Sequence, residues 1–119
     1  MKILIAEDEA MLAKVIGNSL RQLGYEVKVC LDGEEALNFI DISTWDLLIL
    51  DVKLPKVSGI QIVAHVLQNK KNNLPKMIIC SAFDTFRVDF ERLGASVSDY
   101  LVKPIKLKEL TEKVKNLLG

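Results

Sequence analysis

Five residues with reactive side chains stand at the ends of short apolar runs. Glu7 and Asp8 follow Lys2–Ala6, Asp51 follows Asp46–Leu50, Ser81 ends Lys76–Ser81, and Lys103 follows Asp99–Val102. Three carboxylates brought into one crevice repel one another unless a cation joins them. An oxygen-only donor set suits Mg2+, which takes one or two carboxylates together with waters and phosphate oxygens. A lysine opposite the acids can neutralise a phosphoryl group, and a serine hydroxyl can hydrogen-bond one of its oxygens. A carboxylate held in line can attack phosphorus and carry an aspartyl-phosphate. In such chemistry, positioning and charge neutralisation supply most of the acceleration.

Bringing positions 7 to 103 together requires elements that end in one place. The apolar runs Lys2–Ala6, Glu26–Cys30, Asp46–Leu50, Lys76–Ser81 and Asp99–Val102 read as five strands. The first, third and fourth are continuously apolar in their middles, as strands covered on both faces are. Helical spacing fills the gaps. Leu12, Val15, Ile16, Leu20 and Leu23 form one stripe, closed by Gly24. Asp32 can cap a second helix that turns Ala36, Leu37 and Ile40 inward. Ile60, Val63, Ala64 and Leu67 mark the third, and Phe86, Phe90 and Leu93 mark the fourth, ending at Gly94. Leu107, Leu110, Val114, Leu117 and Leu118 mark the fifth.

The pattern predicts an α/β fold: a doubly wound five-stranded parallel sheet, flavodoxin-like (βα)5, with strand order 2-1-3-4-5 and one domain over residues 1–119. Open sheets of this kind bind ligands at the carboxyl ends of their strands, where the five reactive residues fall. In that order the second and fourth strands lie three positions apart, about 14 Å. Cys30 and Cys80 are therefore expected to be buried, reduced thiols beyond disulfide reach. His65 has no His or Cys at ligand spacing and is expected as a surface or boundary residue on a helix.

Sixteen basic and sixteen acidic residues balance to a net charge of zero. That removes the electrostatic argument for a nucleic-acid or membrane partner. No apolar run reaches the roughly 20 residues of a membrane span. The start, Met1-Lys2-Ile3-Leu4-Ile5-Ala6, passes directly into Glu7-Asp8-Glu9 without the form of a signal peptide, so a cytoplasmic location is expected.

The segments Ile3–Glu9 (ILIAEDE), Asp46–Gly59 (DLLILDVKLPKVSG), Ser81-Ala82 and Asp99–Ile105 (DYLVKPI) resemble the receiver domains of two-component response regulators, the CheY-like family. The likeness covers essentially the whole chain. It implies that Asp51 is the phospho-acceptor. It implies that Asp8 ligates Mg2+, with Glu7 acting mostly through water and the backbone carbonyl of Lys53 supplying a further ligand. Lys103 would pair with the phosphoryl group, Ser81 would bind it in the active state, and Tyr100 would reorient with that hydroxyl. Pro104 matches the family's cis-proline. The resemblance also implies a sensor histidine kinase or phosphotransfer protein as donor. Its output would be a changed surface on the fourth helix, fifth strand and fifth helix, open to a partner or a second copy, with Arg87, Asp89, Glu91, Arg92, Lys106, Lys108 and Glu112 exposed around it.

Some positions depart from the family's commonest residues. Glu7 stands for a frequent Asp, Lys53 lies two residues after the acceptor, and Phe83 two after Ser81, where it is expected to crowd the approach of water. The run from Gly94 to Asp99 is long, so the fourth helix is expected to be short or shifted. The alternatives are an aspartyl-phosphate phosphatase-type enzyme, a non-phosphorylated receiver-like scaffold and a flavin or nucleotide carrier. The first needs an Asp-x-Asp pair, and Lys53 takes the second place. A flavin or nucleotide carrier needs a Gly/Ser/Thr-rich loop after the first strand, where this chain has Glu7-Asp8-Glu9-Ala10. The expectation is a signalling receiver whose only reactions are its own phosphorylation and dephosphorylation at Asp51. The sequence leaves open whether the receiver stands alone or begins a longer regulator.

Overall fold

The computed structural model describes residues 1–82 and 84–119, apart from the side chains of Phe86 and Ala95. Strands and helices alternate: β1 (Lys2–Ala6), α1 (Ala10–Gln22), β2 (Glu26–Cys30), α2 (Gly33–Ile42), β3 (Leu47–Asp51), α3 (Gly59–Asn69), β4 (Lys76–Ser81), α4 (Phe86–Leu93), β5 (Asp99–Val102) and α5 (Leu107–Leu118). The strands form one parallel sheet in the order β2-β1-β3-β4-β5. This is the expected order, with β3 displaced by one residue so that Asp51 is its last member.

The alternation of side chains along each strand divides the core into two layers. Leu4, Leu48, Leu50 and Ile79 face one side, where α2, α3 and α4 bring Ala36, Ile40, Ile62, Val63, Val66 and Leu93. Ile3, Ile5, Leu47, Ile49 and Ile78 face the other, against Ile16 and Leu20 of α1 and Leu110 and Val114 of α5. Both thiols are buried and unpaired. Burial pushes each up to about 12, so they stay protonated and unreactive.

Local signals end the helices. Asp32 accepts from the Glu35 amide at 2.8 Å to cap α2. Gly24, at φ +96°, closes α1, its amide donating to the Arg21 carbonyl. Ser58 and Gln61 form a reciprocal capping box on α3, a serine followed three residues later by a glutamine. His65 on α3 lies at a boundary, with Nε2 2.8 Å from the Asp41 carboxylate on α2.

Four helical stripes need correction, that of α5 because Leu107 is exposed. Val15 of α1 and Leu23, the C-cap residue that follows the helix, are exposed. On α3 the inward residues are Ile62, Val63 and Val66, and Ala64 faces solvent. On α4, Phe90 is 51 % exposed and Asp89 is buried at 5 %. Residue 89 lies four positions before Leu93 and residue 90 three, so both fit one face, and hydrophobicity alone selects the wrong one. With eight residues, α4 is the shortest α-helix, and a 3-10 turn at Gly94–Ser96 takes up the slack. Val97 then packs into the core, and Ser98 pairs with Met77 through both its backbone amide and its side-chain oxygen.

Candidate functional site

Parallel strands of similar length end together, and the register shows where. Ala6 pairs with Cys30 and Leu50, Asp51 with Cys80, and Ser81 with Val102. The residues immediately beyond these pairs share one edge of the sheet. The Glu7 amide donates to the Cys30 carbonyl at 3.0 Å, and the Lys103 amide donates to the Ser81 carbonyl at 2.7 Å. These bonds hold the two flanking residues close to their strand ends. The Lys103–Pro104 peptide is cis.

Glu7 and Asp51 are buried, and Asp8 is exposed beside them. One carboxylate oxygen from each lies within 4.8 Å of the others. Lys103 Nζ donates to Glu7 Oε1 at 2.8 Å and to Asp51 Oδ2 at 2.7 Å. The second Glu7 oxygen accepts the Glu9 amide at 3.0 Å, and Asp51 Oδ1 accepts the Lys53 amide at 3.2 Å. Burial raises the Glu7 carboxyl above its ordinary value, against the lowering effect of Lys103. Burial alone would lower the Lys103 ammonium, but its hydrogen bonds to Asp51 and Glu7 outweigh that and hold it charged.

The crevice therefore holds three carboxylates against one ammonium, a surplus of negative charge. Its donors are all oxygen, as a hard divalent cation requires. The Ser81 hydroxyl, at the end of the neighbouring strand, is buried and has no hydrogen-bond partner among the described residues. Buried hydroxyls are rarely left so, and an orphan beside a buried carboxylate marks a place for an incoming acceptor oxygen. The residues present thus fit a magnesium ion and a phosphoryl group together.

The remaining predicted residues lie around this centre. The Lys53 side chain is exposed on the loop after Asp51. Tyr100 is half-buried on β5, its hydroxyl donating to the Gly94 carbonyl at 2.8 Å and its ring 4.7 Å from that of Phe90. It thus joins β5 to the carboxyl end of α4. Phe83 lies outside the described residues. Beside the acids opens a cleft of about 510 Å³, lined by Asp8, Lys53, Gln61, Asp89 and Arg92 among others. Asp89 was expected among the exposed charges of α4. Instead it is buried in this cleft's wall, with Oδ2 unpartnered among the described residues.

The family model for the response regulator receiver domain matches residues 3–115. The chain is 35 % identical over 117 residues to the response regulator ArlR of Staphylococcus saprophyticus, covering 98 % of this chain and 52 % of that protein. It is 36 % identical over 118 residues to the alkaline phosphatase synthesis transcriptional regulatory protein PhoP of Bacillus subtilis, covering 98 % and 48 %. The chain spans about half the length of these curated relatives. Among solved structures, the response regulator TrrA of Thermotoga maritima, in complex with Mg(2+)-BeF, superposes with a TM-score of 0.84 at 33 % identity, covering 98 % of each chain. The chemotaxis response regulator CheY4 of Vibrio cholerae, at 24 % identity, shares the fold with a TM-score of 0.87, covering 98 % of each chain. No helix among the described residues is long and apolar enough to cross a membrane. By sequence match, strand order and superposition alike, this chain belongs to the response regulator receiver domain family.

Proposed function

We propose that this chain is a Mg2+-dependent phosphorylation switch in the cytoplasm, accepting a phosphoryl group on Asp51 from a sensor histidine kinase or phosphotransfer protein. The observation that carries this reading is the Lys103 ammonium joining Glu7 and Asp51 in a crevice that also holds Asp8 and the orphan Ser81 hydroxyl. Asp8, Asp51 and the Lys53 backbone carbonyl would hold Mg2+, with Glu7 contributing through water. When bound, the ion neutralises negative charge on the phosphoryl oxygens. Asp51 attacks phosphorus: a carboxylate O–P bond forms, the donor's N–P bond breaks, and the leaving imidazole nitrogen keeps the electron pair and takes a proton. Lys103 then pairs with a phosphoryl oxygen, and Ser81 donates to another.

Capture of the Ser81 hydroxyl makes room for Tyr100 to leave the Gly94 carbonyl and turn inward, which changes the face of α4, β5 and α5. That face meets an output partner or a second copy. A near-complete switch needs about 5.5 kcal/mol of differential stabilisation, which charge-assisted bonds to a bridged phosphoryl can supply in large part. The chain acts as a receiver and not as a turnover enzyme, since Lys53 stands where a phosphatase would need a second carboxylate. Intact-mass measurement after treatment with a small phosphodonor should show one added phosphoryl in Mg2+. It should show none in chelator or in Asp51→Asn; labelling under either condition refutes the assignment. Light scattering with and without beryllofluoride tests the output face, and a response that survives both Ser81→Ala and Tyr100→Ala refutes the Ser81–Tyr100 coupling.

A further inference from the structure

The tightest steric constraint near the crevice lies behind it, where residues 52–58 rest on the amino end of α2. A Cβ built on Gly33 would stand 1.8 Å from the Val57 carbonyl oxygen and 2.6 Å from its carbon. Both are backbone atoms, so no side-chain rotation could make room. Gly33 does not adopt a left-handed φ. Its glycine is required by close approach and not by backbone conformation. The Gly33 amide donates to the Pro55 carbonyl at 3.0 Å. Lys56 takes φ +70°, and its ammonium lies 3.5 Å from Asp32, the capping residue of α2. That pair is partly exposed and adds little; the backbone contact and the packing of the Val57 side chain against the core do the holding. At the loop's far end the Gly59 amide donates to the Val52 carbonyl at 2.9 Å, and a Cβ on Gly59 would meet the Asp51 carbonyl oxygen at 2.3 Å.

The loop is thus clamped between two glycines, and Lys53 lies between the clamps. A backbone carbonyl has no rotamers, so its position is the position of the loop. Mg2+ tolerates little displacement, because it needs near-octahedral ligands at about 2.0–2.1 Å. We propose that Gly33 is a positioning residue for the metal: by seating Val57 against α2 it sets where the Lys53 carbonyl stands relative to the Asp51 carboxylate. This rests on reading the acidic crevice as a Mg2+ site. The β2–α2 junction, which supplies no ligand, then governs ion affinity. A methyl group at position 33 would push the loop back by about 1 Å before contact with the Val57 oxygen became tolerable.

Mg2+ alone, titrated calorimetrically into the chain, tests this. Gly33→Ala should weaken binding by about tenfold, the scale on which outer-sphere supports of metal sites act. Val57→Ala, which loosens the seat from the opposite side, should weaken it by less. Ile40→Val, which loosens α2 within the core without touching the loop, should lower the melting temperature and leave Mg2+ affinity unchanged. In chelator, amides 52–58 of Gly33→Ala should exchange hydrogen faster than in wild type, a readout independent of the metal. Wild-type Mg2+ affinity in Gly33→Ala, or a loss no larger than that of Ile40→Val, overturns the proposal alone. Should Gly33→Ala fail to fold, Val57→Ala decides, and unchanged affinity there overturns it. A wild type that takes up no Mg2+ overturns both the metal reading and this inference.

Discussion

Ser81 carries a cost in the resting state that the proposed switch would repay. Its hydroxyl is 2 % exposed and meets no partner among the described residues. Leaving such a group unbonded costs about 1–3 kcal/mol. Ser81→Ala is therefore expected to raise resting stability, by about 1 kcal/mol in chemical denaturation, while weakening the affinity for beryllofluoride in Mg2+. A variant less stable than wild type would show that the hydroxyl is satisfied in solution. Lys103 is the complementary case. With no metal it is the cation that allows Glu7 and Asp51 to share a desolvated crevice. On the proposed reading, an arriving phosphoryl group would find its counter-charge already in place.

Among the elements, α4 is the least committed to the fold. It has eight residues, the side chain of its Thr85 cap accepts from no helix amide, and Val88 and Phe90 are exposed. Asp89 turns its carboxylate into the cleft wall, with one oxygen unpartnered among the described residues. Few apolar contacts and a buried unpaired acid are what a segment at the low-stability end of a fold looks like. Asp89→Leu should therefore stabilise the chain by about 1–2 kcal/mol, since a desolvated acid gives way to an apolar side chain of similar size. It should also slow hydrogen exchange along residues 86–93. Unchanged exchange with unchanged stability would indicate that Asp89 is engaged by water in solution.

The molecule as a whole divides its labour across the sheet. One core layer joins α1 and α5 to it, and the other joins α2, α3 and α4. The edge where β1, β3, β4 and β5 end collects the charge, so the fold carries three carboxylates against one ammonium. In chelator, Asp51→Ala should melt higher than wild type, by the equivalent of about 1–2 kcal/mol, because it relieves like-charge repulsion. On the proposed reading, added Mg2+ would bind only the native state and should raise the wild-type melting temperature. Its effect on Asp51→Ala should be smaller, closing the gap. A variant that melts lower in chelator would mean that the Asp51–Lys103 bond outweighs the repulsion.

The sequence by itself determined the architecture and the identity of the reactive residues. Strand alternation is a local property, and five runs flanked by helical spacing admit few topologies; the ends of those runs then name Glu7, Asp8, Asp51, Ser81 and Lys103. The caps at Asp32 and Gly24 were legible for the same reason, and the Ser58–Gln61 box could have been. Tertiary structure decided what depends on rotation and docking. A short helix such as α4 presents residues 89 and 90 almost equally, and only packing against the sheet turned Asp89 in and Phe90 out. Lys103 reaching both Glu7 and Asp51 follows from the common edge of three strands far apart in sequence. The contact of Gly33 with Val57 depends on how closely α2 lies against the loop after β3. Such distances are set by the filling of the core between elements, and no periodicity along the chain encodes them.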